Sequence, residues 1–470
     1  MKKQKVVLFA GISFAITLFA FKYDMLGTAK DKHFTQLIST ADSTAVKPIY
    51  YPAKVWMVAD NNNYNNNNSD YSNLRKAEGN NIAIFWSKNY GDNPAANPDS
   101  IRFDPKSAML ELDRFYTCYR DTLKFVQKGK SLTDKYKMLT YVIPNSHGGT
   151  AFGGGVEDKI GILWTPSTRI ASAPYGALAH ELGHSFQYMV HADGHWGFTS
   201  APKGSRGQSI FEMTSQYMLF QVYPSWMTFE NYHLKSFMRQ THLAFLHEDN
   251  QYHSPYVLEY WSGKHGRDFI GKLWREAIKG EDAVTTYKRL TGLNQSKFND
   301  EIFDAARRFI TWDMPRIEQA AKVYANQHIA ILNDISDGWY RIAESNCPQN
   351  YGYNGIKLDV PAAGTKVKLD FKGIAGAEGF RAINTDKAGW RYGFLAVKQD
   401  GSRVYGKTYS KVNATESFTI PKNTAHLWLV VSGAPTEHWE HLTDGKAQND
   451  EQWPYQIKLT GTAIDKAFIK

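Results

Sequence analysis

The run from Ala179 to Gln187 contains a His-Glu-x-x-His pentapeptide, which constrains the fold more than any other part of the 470-residue chain. On an α-helix, His180 and His184 are one turn apart on the same face, so both imidazoles can reach one ion. Glu181 can reach a water on that ion and act as a general base. Because the pentapeptide also occurs by chance, the surrounding sequence decides whether it marks a metal site.

A catalytic zinc site needs a third protein ligand and one coordination position open to water. Glu212 is the strongest candidate, because it lies in an apolar helix beginning near Ser209, where an unpaired carboxylate is costly to bury. A glutamate favoured by the dipole at a helix start is the ordinary alternative. His191 lies two turns beyond His184, too far along the helix to share the ion, and His195 remains a second candidate.

The paired histidines with Glu212 on a following helix resemble the gluzincin group of zincin metallopeptidases. Glu212-x-x-Ser215-Gln216 resembles the Glu-x-x-Ser-Asp motif of that group, and Gln216 stands where the group often has an aspartate that orients the first histidine. The longer pattern His-Glu-x-Gly-His-x-x-Gln is similar to enhancin-like and mucin-directed gluzincins. It is also similar to a group of secreted bacterial proteins without assigned activity.

This resemblance implies a zinc-dependent endopeptidase (cofactor Zn2+) that acts on proteins or glycoproteins, with Glu181 as the general base. The zinc ligands that it implies are His180, His184 and Glu212. Gluzincins also stabilise the oxyanion with a Tyr or His downstream of the third ligand, for which the candidates are Tyr252, His253, Tyr256 and His265. We favour Tyr256, because it opens a new helical segment that faces back toward the motif.

Two other functions stay open. One is a catalytically silent zincin-like module that binds a cell surface or a glycan. The intact Glu181 favours an enzyme, since a non-catalytic scaffold has no reason to keep the base. The other is a metal-dependent amidase or deacetylase, which differs from a peptidase only in its substrate.

The order of elements predicts an α+β fold, with a zincin-like catalytic domain followed by an all-β sandwich. A small mixed sheet is expected behind the active-site helix, at 82–86, 137–143 and 160–164, with a Gly-rich loop, 148–155, before the last strand. That loop and strand are expected to form the cleft edge, where an extended peptide would add as a strand. A helical subdomain follows, with segments at 209–222, 228–246, 266–279, 297–311 and 314–333.

The predicted domains are a signal peptide at 1–29, a leader and Asn-rich loop at 30–78, a zincin-like metallopeptidase domain at 79–335 and a C-terminal β-sandwich at 336–470. Lysines before an apolar run, Val6 to Phe21, are typical of a secretory signal, and the run is short for a membrane span. We therefore expect a secreted, periplasmic or cell-surface protein, held at the membrane only if this segment is not cleaved. Cys118 and Cys347 are compatible with one disulfide or with two buried thiols.

The net charge of +9 is spread thinly, without a dense basic cluster beyond the N-terminus, so nucleic-acid binding is not expected. The predicted sandwich is rich in aromatic residues, which motivates the hypothesis that it contacts carbohydrate. These residues are Trp390, Tyr392, Trp428, Trp439 and Trp453. A packed domain that shields or positions the catalytic half is the plainer interpretation.

Overall fold

The computed structural model describes residues 46–470, so the predicted signal peptide and the first part of the leader lie outside the described residues. The described chain is an α+β protein. Its α-helices are α1 (Pro105–Thr117), α2 (Gly176–Ala192), α3 (Ile210–Val222), α4 (Trp226–Phe229), α5 (Asn231–Arg239), α6 (Tyr256–His265), α7 (Phe269–Glu276), α8 (Ala283–Thr291), α9 (Gln295–Phe309) and α10 (Glu318–Ala321).

The strands form three sheets. They are β1 (Lys76–Glu78), β2 (Ile82–Trp86), β3 (Met138–Ile143), β4 (Phe152–Val156), β5 (Ile160–Pro166), β6 (Leu332–Asp334), β7 (Trp339–Ile342), β8 (Tyr353–Leu358), β9 (Lys366–Gly373), β10 (Trp390–Lys398), β11 (Arg403–Tyr405), β12 (Asn413–Thr419), β13 (Thr424–Gly433) and β14 (Tyr455–Thr460).

The first sheet is mixed and has the order β1-β2-β3-β5-β4. Its three central strands, β2, β3 and β5, are parallel, and the edge strands β1 and β4 are antiparallel to their neighbours. Every residue of the central strands is buried, as expected for continuous apolar runs covered on both faces. Helix α2 lies on one face against β4 and β5, and the Ser185 hydroxyl donates to the Ile162 carbonyl at 3.0 Å.

The Gly-rich stretch is strand β4 at the edge of this sheet, rather than the loop expected from the sequence, and β5 lies inside the sheet. A Cβ atom on Gly153 would lie 2.0 Å from the Glu181 carbonyl oxygen. A Cβ atom on Gly155 would lie 2.0 Å from the Tyr188 ring. These glycines therefore let the edge strand approach helix α2 closely.

The other face of the sheet is covered by the chain before β1, including the Asn-rich segment that the sequence presents as a flexible loop. The segment has no regular secondary structure, but it is packed in place. The hydroxyl groups of Tyr64 and Tyr141 are 2.7 Å apart, and Tyr71 is fully buried. The guanidinium of Arg75 donates to the Asn67 carbonyl at 3.0 Å. This part of the predicted leader is thus a covering layer of the sheet.

Two of the predicted helices are much shorter than their periodicity indicates. In 228–246, α5 ends at Arg239, and the Thr241 carbonyl accepts a 2.7 Å hydrogen bond from the Tyr353 backbone N–H. In 314–333, only α10 is α-helical, and the segment ends in β6, which pairs with β7. In both places, pairing with the C-terminal region replaces helical hydrogen bonds.

The C-terminal region is built of two antiparallel sheets, β11-β10-β13-β8 and β12-β9-β14-β7-β6. The aromatic residues proposed to contact carbohydrate lie mainly in its core: Trp390 is 2% exposed and Tyr392, Trp428 and Trp453 are 0% exposed. Trp439 is partly buried against the same core. Four of the five side chains are therefore unavailable to a ligand, which removes the observation behind that hypothesis.

Helix α9 joins the two halves of the molecule by packing against β8, β10 and β13. The Arg391 guanidinium donates to the Asp300 carboxylate at 2.7 Å across this contact. Cys118 and Cys347 are both free thiols. Within residues 46–470, none of the helices combines the length and the apolar character needed to cross a membrane.

Gly153→Ala should lower the free energy of unfolding by about 1–3 kcal/mol or more, because the added methyl group collides with the backbone of the active-site helix. Urea denaturation followed by circular dichroism measures this change. Gly149→Ala is the matched control, since a Cβ atom there meets nothing within 4 Å. Equal stability of the two variants would contradict the close approach of β4 to α2.

Candidate metal centre

Three ligand atoms converge between α2 and α3. His180 Nε2 lies 3.1 Å from both His184 Nε2 and Glu212 Oε2, and His184 Nε2 lies 3.2 Å from the same carboxylate oxygen. Ligands bound to zinc at its usual distances are roughly 3.3 Å apart in a tetrahedron, so the triangle fits this ion. The three side chains are 12%, 5% and 13% exposed, so the group is mostly buried.

A glutamine orients the first histidine. The Gln216 amide oxygen lies 3.2 Å from His180 Nδ1, and the Gln216 amide nitrogen donates to the Tyr252 carbonyl at 2.7 Å. The ring N–H is thus held at Nδ1, so the Nε2 lone pair faces the centre. Gln216 occupies the position where the gluzincin resemblance implies an orienting residue.

A second glutamine, Gln187, orients His184, a role that was not predicted from the sequence. His184 Nδ1 lies 3.0 Å from the Gln187 amide oxygen. The Gln187 amide nitrogen donates to the Phe211 carbonyl at 2.8 Å and to the Ser215 hydroxyl at 3.0 Å, both on α3. Gln187 therefore fixes the ring of a ligand on α2 and ties α2 to the helix that supplies Glu212.

Gly183, between the two histidines, is the point where α2 approaches α3. A Cβ atom there would lie 3.0 Å from the Ser215 hydroxyl oxygen and 3.2 Å from the Ser215 Cα. A larger residue would push the helices apart and move Glu212 away from the imidazoles. The glycine in the pentapeptide is thus explained by helix packing.

Glu181 lies beside the ligands, and its carboxylate and the nearest ring nitrogens of His180 and His184 are all within 4.8 Å of one another. Burial raises the pKa of Glu181 above its ordinary value, although both imidazoles and a hydrogen bond from the Gly153 backbone N–H act in the opposite direction. A carboxylate with a raised pKa accepts a proton more readily, as a general base must.

The Glu212 carboxylate dominates the electrostatics of the metal-free centre. Burial alone would lower the pKa of His184, but the charge and hydrogen bond of Glu212 raise it to about 9. Burial also acts to raise the pKa of Glu212, and the two imidazoles outweigh it, so that this pKa falls well below its usual range. The metal-free pair is therefore an ionised carboxylate beside a protonated imidazole at neutral pH.

Tyr252, and not Tyr256, is the tyrosine at the centre. The Tyr252 hydroxyl hydrogen-bonds the Glu212 carboxylate, and its ring lies 6.1 Å from the His180 ring between centroids. Burial, reinforced by Glu212, raises the pKa of Tyr252, so its hydroxyl remains a hydrogen-bond donor at neutral pH. Because it lies in the turn before α6, helical periodicity did not distinguish it.

Tyr256 begins α6 and points into the helical core, which corrects the expectation that it faces the motif. It is 0% exposed, and its ring lies 4.7 Å from Phe237 and 4.6 Å from Trp312 between centroids. Its hydroxyl has no hydrogen-bond partner within the described part of the chain. This position in the core leaves Tyr256 without access to a substrate at the centre.

The other histidine candidates also make contacts elsewhere. His265 Nε2 lies 2.7 Å from the Tyr287 hydroxyl, and His253 Nδ1 lies 2.7 Å from His233 Nδ1. Among residues 46–470, His195 belongs to neither of the two groups of side chains that are spaced to hold a metal ion. The structure thus brings together His180, Glu181, His184 and Glu212, and adds Gln187, Gln216 and Tyr252.

Residues 41–466 match the model of a family of unknown function, DUF6055, and the chain belongs to this family. A search of curated proteins found no significant match. Among solved structures, the chain is similar to the M60 catalytic domain with the CBM51-1 and CBM51-2 domains from Clostridium perfringens ZmpB, with 9% identity and a TM-score of 0.30. That match covers 84% of this chain and 60% of the other.

Two carbohydrate-binding modules are similar to a smaller part of the chain. The family 22 module of Clostridium thermocellum Xyn10B has 12% identity and a TM-score of 0.18, and covers 29% of this chain and 82% of its own. The CBM22-1 xylan-binding domain from Paenibacillus barcinonensis Xyn10C has 11% identity and a TM-score of 0.17. This match covers 27% of this chain and 71% of the other. At these scores the matches assign no function.

Zinc binding at neutral pH should release roughly one proton, because the protonated His184 must lose its proton to become a ligand. The apparent zinc affinity should therefore rise roughly tenfold per pH unit and level off near the His184 pKa of about 9. Isothermal titration calorimetry in buffers of different ionisation enthalpy measures the released proton. An affinity that does not change between pH 6 and 8 would contradict the protonated pair.

Proposed function

We propose that the protein is an exported zinc-dependent endopeptidase of the gluzincin type that cleaves a protein or glycoprotein. The observation that supports this proposal is the triangle of His180, His184 and Glu212 with Glu181 beside it. Two imidazoles and one carboxylate match the three-ligand set of catalytic zinc, whereas most structural zinc sites have a fourth protein ligand.

The reaction that fits these groups is hydrolysis of a peptide bond by water. Zinc held by His180, His184 and Glu212 would supply Lewis-acid polarisation of a water molecule and of the scissile carbonyl. Glu181 takes a proton from the attacking water and later gives it to the leaving amine. The Gly153 N–H keeps the Glu181 carboxylate oriented between these two steps.

Tyr252 is the donor that we assign to the oxyanion. Its hydroxyl is already within hydrogen-bonding distance of Glu212 and is held in the protonated form by burial. A donor fixed beside the reacting carbonyl stabilises the negative charge that develops on the oxygen during attack. In the free protein, the hydrogen bond to Glu212 keeps this donor in place.

Strand β4 provides the surface on which we place an extended substrate. It is the edge strand of its sheet, and Gly153 and Gly155 bring its backbone close to α2, which carries Glu181. An extended peptide can pair with such an edge through main-chain hydrogen bonds. The same strand contacts Glu181, so a paired peptide would lie beside the general base, which favours a peptide over a small amide as the substrate.

Glu181→Gln should keep zinc and lower kcat by roughly 10²–10⁴-fold, because the amide cannot accept the proton of the attacking water. Elemental analysis measures the zinc content, and a proteome-derived peptide library measures cleavage. Zinc retained together with lost cleavage is the expected result. A variant that still cleaves at the wild-type rate would refute the mechanism.

Tyr252→Phe should lower kcat by roughly 10²–10³-fold with unchanged zinc content, since the three ligands are kept and the oxyanion donor is removed. Tyr256→Phe is the matched control, because the Tyr256 hydroxyl has no partner in the described chain and should be dispensable. Both variants are assayed on the same peptide. Equal activity of the two variants would remove Tyr252 from the mechanism.

A further inference from the structure

A second group of metal-ligating side chains lies where the sandwich meets the helical region. His247 and Glu248 follow α5, and His441 lies in the long loop between β13 and β14. One ligand atom from each residue lies within 4.8 Å of the others. Glu248 Oε2 is 3.1 Å from His441 Nε2 and 3.6 Å from His247 Nδ1. We propose that these three side chains bind a second divalent metal ion, of the zinc class, which fastens the sandwich to the helical region.

The hydrogen bonds of His247 identify Nδ1 as the nitrogen that could bind the ion. His247 Nε2 lies 3.3 Å from the Asp450 carboxylate, and Nδ1 accepts a 3.0 Å hydrogen bond from the Asp249 backbone N–H. The ring proton is therefore on Nε2, and Nδ1, which carries the lone pair, lies 3.6 Å from Glu248 Oε2. A carboxylate on the far nitrogen of an imidazole is the usual outer partner of a metal-bound histidine. A bound ion would replace the Asp249 N–H at Nδ1.

Glu248 is ready to act as an anionic ligand. Its Oε2 atom lies within hydrogen-bonding distance of His441 Nε2, at 3.1 Å. Its other carboxylate oxygen accepts a 2.7 Å hydrogen bond from the Gly445 backbone N–H, so the side chain is held in a fixed orientation. Two imidazoles with one carboxylate favour zinc, cobalt or nickel over calcium or magnesium, which prefer oxygen ligands.

A cavity beside the group gives the ion a route of entry and room for a water ligand. It has a volume of about 480 Å³, and His247, Glu248 and Asp450 are among its lining residues. His242 lines the same cavity, and its buried Nδ1 has no hydrogen-bond partner among the residues that the structure describes. Burial lowers the pKa of His242 to about 4, so this ring is a neutral imidazole at neutral pH.

Binding at this place would connect parts of the chain that are distant in sequence. His441 and Glu248 are separated by 193 positions. The loop that carries His441 also holds the connection between α2 and α3, because the Thr443 hydroxyl donates to the Gly207 carbonyl at 2.6 Å. The second ion would therefore stabilise the connection between the two helices of the first centre, from outside that centre.

Metal stoichiometry of the full chain tests this proposal. We expect about two equivalents of Co²⁺ in the wild-type protein by spectroscopic titration and elemental analysis, and one in the His180→Gln/Glu212→Gln variant. Adding His441→Gln to that variant should remove the remaining equivalent, whereas adding His147→Gln, at an exposed position, should not. Zinc should raise Tm in the double variant and leave Tm unchanged once His441 is also replaced.

The outcomes separate this proposal from the peptidase proposal. A His180→Gln/Glu212→Gln variant that binds no metal overturns the second site, and this measurement does not depend on how His441→Gln folds. A wild-type protein with one equivalent that survives His441→Gln and is lost in Glu212→Gln also overturns it, while the first centre stands. One equivalent that is lost only in His441→Gln would support the second site and contradict the first.

Discussion

The close packing of α2 on α3 is the contact on which the candidate active site depends. The two histidines are fixed relative to each other by the pitch of one helix, but Glu212 comes from another helix, so its distance from them is set by the approach at Gly183. A displacement of one helix by about 1 Å would open the ligand triangle, because metal ligation tolerates deviations of only about 0.2 Å. Two hydrogen bonds from the Gln187 amide nitrogen to α3 keep the two helices at this distance.

The use of amides around the imidazoles also sets the charge of the site. Gln187 and Gln216 orient the rings without adding charge, so the carboxyl groups of the centre are those of Glu212 and Glu181. The two charges of a bound divalent ion would balance these two groups in their ionised form. An orienting aspartate at position 216 would leave one negative charge uncompensated in a mostly buried site, which is costly unless a further cation pairs with it. The departure from the gluzincin motif thus has an electrostatic rationale.

The sequence predicted those parts of the structure that follow from local pattern. The His-Glu-x-x-His helix, the apolar helix of Glu212 and the central strands all have strong periodicity or continuous apolar runs, and each is present. Strand β4 was not predicted, because a run of glycines has no hydrophobic pattern. The glycines were nevertheless a signal, since residues without a side chain are needed where one backbone packs closely against another element. Tyr252 was missed in favour of Tyr256 because the side that a helix start faces is decided by tertiary packing.

A single cluster of buried apolar side chains extends from Ile82 in the first sheet, through α9, to Phe468 beyond the last strand. The two halves of the molecule therefore share their interior, unlike covalently tethered modules that each have a core of their own. If the chain were divided before β6, the apolar face of α9 in one piece and that of the sheet containing β8, β10 and β13 in the other would be exposed to water. A β-sandwich that shares its interior in this way would lose part of its core if it were transferred alone to another protein.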